Sequence, residues 1–122
     1  MSLMNNIKAV IAPFPRVDPG ECIPRIRQGG AVLVDVREPP EWQGGVAKGA
    51  LLLPLSDLMG PRERWRGALA RLPGRELILY CAMGRRAGMA ARVLSTEGVR
   101  AVNAGGLTDW AAAGWEVGHG AE

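Results

Sequence analysis

Short, unbroken apolar runs alternate along the chain with segments whose apolar residues recur at helical spacing. "AVLVDV" (31–36), "ALLLP" (50–54), "ELILY" (76–80) and "RAVNA" (100–104) read as strands. The first and third carry almost no polar position, the pattern of strands covered on both faces in a parallel sheet. "IKAVIA" (7–12) reads as an additional edge strand. Between these runs, "DPGECIPRIRQGG" predicts a helix with Asp18 as N-cap, Pro19 at the first helical position and Gly29 at its stop, kinked or shortened by Pro24. "SDLMGPRERWRGALARLPG" predicts a helix capped by Ser56, split at Gly60–Pro61 and closed by Pro73–Gly74, with Trp65, Leu69 and Leu72 as its apolar face. "RRAGMAARVLSTEG" predicts a helix with Met89, Val93 and Leu94 on one side, and "LTDWAAAG" a shorter one capped by Thr108. Such alternation predicts an α/β fold, with a central, mostly parallel sheet of about five strands and helices on both faces. No repeat or linker divides the chain. One domain is expected over 1–122, with a core at about 7–117, a leader at 1–3 and a flexible tail at 118–122.

Composition narrows the classes of function. A chain of 122 residues can bury roughly two-thirds of its unfolded surface. The net charge is +3 and the arginines are scattered, so no nucleic acid is expected as a partner; a modest positive bias suits small anions better. The apolar N-terminal run is cut by Pro13 and Pro15, and no segment approaches the ~20 apolar residues of a membrane span. A cytoplasmic protein without membrane association is expected. Two cysteines, Cys22 and Cys81, and the single His119 do not assemble a four-ligand metal site, and no metal or organic cofactor is expected.

The stretch "YCAMGRRA" concentrates the chemistry. Cys81 ends an apolar strand, and ligands of open parallel sheets bind beyond the carboxyl ends of strands. The next helix begins near Arg85 or Arg86, so its unpaired N–H groups and its dipole face the loop and favour negative charge there, a thiolate included. Gly84 permits positive φ, the turn that aims successive N–H groups inward. Arg85 and Arg86 add fixed positive charge. Ala82, Met83, Gly84, Arg85 and Arg86 are thus the candidate substrate-binding residues around a catalytic Cys81. The blander alternative is a Cys that only packs, since cysteine is among the most buried residue types. That is the reading given to Cys22, which lacks such company; its alternative is a thiol that resolves an oxidised Cys81. Attack on phosphorus and attack on a sulfane sulfur both suit a thiolate in such a cradle. In Cys-x5-Arg phosphatase loops the arginine is the sixth residue after the cysteine; here Arg86 is the fifth. The shorter loop favours a single sulfur over a phosphate group.

These segments together resemble a single-domain rhodanese, a member of a sulfurtransferase family, from about Val32 to Val117. "VLVDVREPPEW" resembles the first family signature, "GVAKGALLLPL" the second, "YCAMGRRA" the active loop, and "NAGGLTDWAAAGWEV" the closing Gly-Gly-aliphatic-x-x-Trp segment. Val46 and Lys48 stand where His and Pro are usual, and Ala82 and Met83 replace the common Arg and Ser or Thr after the nucleophile. The resemblance implies transfer of a sulfane sulfur from a small anionic donor, thiosulfate or a persulfide, to a thiol or cyanide through a Cys81 persulfide. Its alternative is a carrier or interaction module that passes sulfur to a partner protein with little free turnover. Phosphatase or arsenate-reductase chemistry ranks below both. Asp35 and Arg37, at the end of the first strand, are expected in a supporting role: either Asp35 pairs with a loop arginine and holds it in place, or the two form a strand-end charge pair that only caps local backbone. Trp42, Trp65, Trp110 and Trp115 read as packing residues, with a place on the pocket rim as the alternative for Trp42 or Trp65.

Overall fold

Residues 15–119 are described by a computed structural model. Strands β1 (Ala31–Asp35), β3 (Leu51–Leu52), β4 (Glu76–Cys81) and β5 (Ala101–Gly106) form one parallel sheet in the order β3-β1-β4-β5. Strands β2 (Val46–Ala47) and β6 (Val117–Gly118) pair antiparallel beside it. Gly118 therefore belongs to a strand rather than to a loose tail. The edge strand expected at 7–12 lies outside the described residues.

Alternation of side chains along a strand assigns the two cores. Leu77, Leu79 and Cys81 of β4 face one apolar cluster with Val34, Val36, Trp65 and Leu94. Ile78 and Tyr80 face the other, with Cys22, Leu33, Ala104 and Trp110. Both faces are dry, which is why β1 and β4 read as continuous apolar runs.

The helices follow the sequence with local differences. Helix α1 (Pro19–Arg27) starts as expected, with the Asp18 carboxylate accepting the Gly20 N–H at 2.9 Å. It runs through Pro24, because so short a helix loses only one ladder bond there. The "EPPEW" segment forms a single turn, α2 (Pro39–Trp42), too short to show periodicity. The split at Gly60–Pro61 gives α3 (Leu55–Leu58) and α4 (Glu63–Arg71). The cap of α3 is Pro54, not Ser56, whose hydroxyl instead donates to Glu38. Asp57 caps α4 by accepting the N–H groups of Glu63, Arg64 and Trp65. In α5 (Arg85–Thr96) the buried face is Ala87, Gly88, Ala90, Ala91 and Leu94, while Met89 is 43% exposed. That face is built mainly of small residues with Leu94 at its end, and Met89 lies on the side turned away from it. Helix α6 (Leu107–Ala112) is capped from Gly106, and Asp109 accepts the Gly106 N–H at 2.8 Å; Thr108 is not the cap. Trp42, Trp65 and Trp110 are all buried. Among the described residues no helix is long and apolar enough to cross a membrane.

Candidate active site around Cys81

Cys81 is the last residue of β4, and α5 begins four residues later. Gly84 makes the turn with φ +98°, a conformation that side chains with a Cβ rarely adopt. The first ladder bond of α5 runs from the Gly88 N–H to the Gly84 carbonyl at 3.0 Å. The amides of Arg85, Arg86 and Ala87 thus lie ahead of that ladder. The Gly84 N–H donates to Cys81 Sγ at 2.9 Å and the Ala87 N–H at 3.4 Å. The sulfur is therefore held by the turn and the helix start together. The amides expected to converge on it were those of 82–86; Ala87, one residue beyond, is the second donor.

The loop is tethered from outside as well. A Cβ on Gly106 would collide with the Ala82 carbonyl, so the end of β5 must be glycine for the loop to pack against it. Ala82, Met83 and Arg85 are exposed, Met83 to 76%, and form the rim. Cys81 itself is only 1% exposed. Its sulfur lies at the floor of the loop, beneath the amides of Gly84 and Ala87. A surface cavity of about 510 Å³, lined in part by Arg16, Asp18, Gly105 and Asp109, lies alongside the loop, and Cys81 is not among its lining residues.

Arg86 pairs with Glu41 of α2, two parallel bonds of 2.6 and 2.8 Å. Glu41 Oε1 also accepts the Glu38 N–H at 3.0 Å. The Arg86 hydrogen bonds hold the Glu41 carboxyl down at about 2, against a smaller opposing effect of burial, and Arg86 is correspondingly raised. Of the two readings of Asp35, the structure shows the strand-end pair with Arg37 and not the pairing with a loop arginine. Asp35 is fully buried and accepts from Arg37 Nη2 at 2.8 Å and from the Tyr80 hydroxyl at 2.6 Å. Asp35 points with Tyr80 to the sheet face opposite Cys81, so it cannot meet a loop residue. Burial opposes the charge on Arg37, but the hydrogen bonds and charge of Asp35, with smaller help from Tyr80 and Glu41, together raise its pKa. Arg37 in turn donates to the backbone carbonyls of Gly45 at 2.6 Å and, more distantly, Glu41 at 3.4 Å. The buried pair thereby fastens both ends of the segment that presents Glu41 to Arg86. Glu41 was missed in the sequence because its partner lies 45 residues away; the only local signal is the Glu three residues after Glu38, a capping-box spacing.

Cys22 lies in the core on the opposite face of the sheet from Cys81, and burial pushes its thiol up to about 11. It cannot resolve an oxidised Cys81. Among the described residues no group of three or more His, Cys, Asp or Glu is placed to hold a metal ion.

A parallel α/β sheet with a cysteine at a central strand end, amides of the next turn and helix trained on its sulfur, is the layout of a rhodanese-type domain. The profile of the rhodanese-like domain family matches residues 18–113. Among curated proteins, slr1261 of Synechocystis sp. is 38% identical over 90 residues, 72% of this chain and 47% of its own length. YqhL of Bacillus subtilis is 35% identical over 82 residues, 66% of this chain and 60% of its own. The chain thus spans about half to three-fifths of these relatives. Among solved structures, a rhodanese-related protein from Thermoplasma volcanium superposes with a TM-score of 0.69 at 28% identity, over 86% of this chain and 98% of that one. The chain belongs to the rhodanese-like domain family, a family of sulfurtransferase-related domains.

Proposed function

We propose that the protein is a sulfurtransferase that carries a sulfane sulfur on Cys81. The observation that supports this reading best is the convergence of the Gly84 and Ala87 amides on Sγ. In the first step the Cys81 thiolate attacks the outer sulfur of thiosulfate. The donor's S–S bond breaks, sulfite leaves with its electron pair, and a Cys81 persulfide anion remains. In the second step a thiolate or cyanide attacks the terminal sulfur and departs with it as a persulfide or thiocyanate, returning the Cys81 thiolate. Charge balances in each step, and no oxidant, metal or organic cofactor enters. The loop amides stabilise the negative charge of the terminal sulfur as an oxyanion hole stabilises oxygen. Arg86, clamped by Glu41, braces the loop and contributes its field. Arg85, exposed on the rim, is the guanidinium offered to an approaching anion.

A second reading, a carrier that delivers sulfur to a protein acceptor, draws support from the apolar rim at Met83 and the deep seat of Cys81. Intact-mass measurement after incubation with thiosulfate or glutathione persulfide tests both. One sulfur atom is gained by the native protein and none by Cys81→Ser. Brisk cyanide turnover of the loaded protein selects the first reading, and slow turnover the second. Failure of every donor to load Cys81, with hydrolysis of a phosphate ester instead, overturns both.

A further inference from the structure

Arg16 lies two residues ahead of the stretch that matches the family profile. Its Nη2 donates to the carbonyl oxygen of Met83. That carbonyl and the Gly84 N–H belong to one peptide unit, and in a trans peptide the two point in opposite directions. The same rigid plane therefore faces Arg16 on one side and Cys81 Sγ, 2.9 Å from the Gly84 nitrogen, on the other. The guanidinium lies flat over the turn: a Cβ on Gly84 would stand 2.5 Å from Nη2 and 2.6 Å from Cζ. Its Nη1 stands 3.6 Å from Asp109 Oδ2, the oxygen that accepts the Gly106 N–H.

We propose that Arg16 is a positioning residue that pins the Met83–Gly84 peptide so that its N–H faces the sulfur. The peptide has reason to turn over. Rotation about the bonds flanking it needs φ at Gly84 to change freely, and glycine permits that. The flipped plane would present the Met83 carbonyl to a sulfur anion, which repels it. A charged donor on the carbonyl holds the productive orientation and, by polarising the amide, strengthens its N–H as a donor. Ala82 and Met83 bring no charged or hydroxyl-bearing side chain to this turn, so the bracing cation comes from the N-terminal side of α1. Asp109 orients the guanidinium only weakly, since both side chains are about half exposed. The proposal rests on Cys81 being the nucleophile of the sulfurtransferase reading, but its test does not require sulfur transfer.

The experiment compares native protein with Arg16→Met and Arg16→Lys. It follows alkylation of Cys81 by iodoacetamide, an uncharged reagent, at pH 7.5, together with the Gly84 amide resonance in ¹⁵N-labelled protein. In Arg16→Met the alkylation rate falls about tenfold, the effect of weakening one hydrogen bond to a charged group. The Gly84 amide resonance moves upfield, and Arg16→Lys recovers most of both. Unchanged alkylation and an unmoved Gly84 resonance in Arg16→Met overturn the proposal. So does a variant that alkylates normally but needs more thiosulfate for loading, since Arg16 would then bind the donor and not position the amide. Slowed alkylation in Arg16→Met, when the native protein takes up no sulfur from any donor, keeps the positioning role and removes the sulfurtransferase reading.

Discussion

Replacing Glu41 by Gln removes the clamp on Arg86 without altering side-chain size, and its cost follows from the geometry. The carboxylate accepts two bonds from Arg86, at 2.6 and 2.8 Å, and one from the Glu38 amide at 3.0 Å. The Arg86 bonds depress the carboxyl from 4.5 to about 2. A shift of that size would correspond to about 3 kcal/mol in a fully shielded pair. Both side chains are 34% exposed, so water and salt reduce the expected contribution to about 1–2 kcal/mol. The folded-state value is depressed, so this stability is present above pH 4.5 and is lost as pH falls toward 2. Urea unfolding of native protein and Glu41→Gln at a series of pH values measures it. At pH 7 the variant is less stable by about 1–2 kcal/mol, and the gap closes between pH 4.5 and 2. Sulfur loading of the variant also slows, because Arg86 is free to leave the loop. Parallel stability curves for the two proteins across that range would refute the clamp.

Two further outcomes are expected. Tyr80→Phe removes a buried hydroxyl that donates to Asp35 at 2.6 Å and accepts the Ala47 N–H at 2.9 Å. Stability falls by about 2 kcal/mol while Cys81 still takes up sulfur, because this network lies on the other face of the sheet; an unchanged urea midpoint would count against it. Cys22, with its thiol pushed up to about 11 by burial, stays unmodified by iodoacetamide at pH 8 until the protein is unfolded. Its raised value adds stability that is complete below pH 9 and lost as pH rises toward 11; modification of native Cys22 at the rate of a free thiol, read by peptide mapping, refutes this.

Much of the architecture was legible because it rests on local order. Runs such as "AVLVDV" and "ELILY" need both faces covered, so they announce a parallel sheet before any contact is known. Cys81, Gly84 and the start of α5 are neighbours in the chain, and the geometry of a strand–turn–helix carries the amides to the sulfur with them. Of the expected apolar face, Leu94 is buried and Val93 packs against the core, and only Met89 turns outward. Hydropathy ranks Met89 above the alanines, but the helical turn carries Ala87, Ala90, Ala91 and Leu94 to the sheet and leaves Met89 outside.

What the chain order could not decide was which charges meet. Asp35 lies near the loop in any reading of the strand ends, yet alternation turns it with Tyr80 to the opposite face and gives it to Arg37. Arg86 finds Glu41 across 45 residues, and Arg16 finds Met83 across 67. Pairings at such separations depend on strand register and on where short turns such as α2 come to rest, and every charged residue has many partners of suitable sign. The amino-acid order determined the fold and the place of Cys81 at the strand end before a glycine turn, because periodicity and turn chemistry act over a few residues. The tertiary structure decided the bracing of the loop, because only the folded backbone brings those distant side chains within hydrogen-bonding distance.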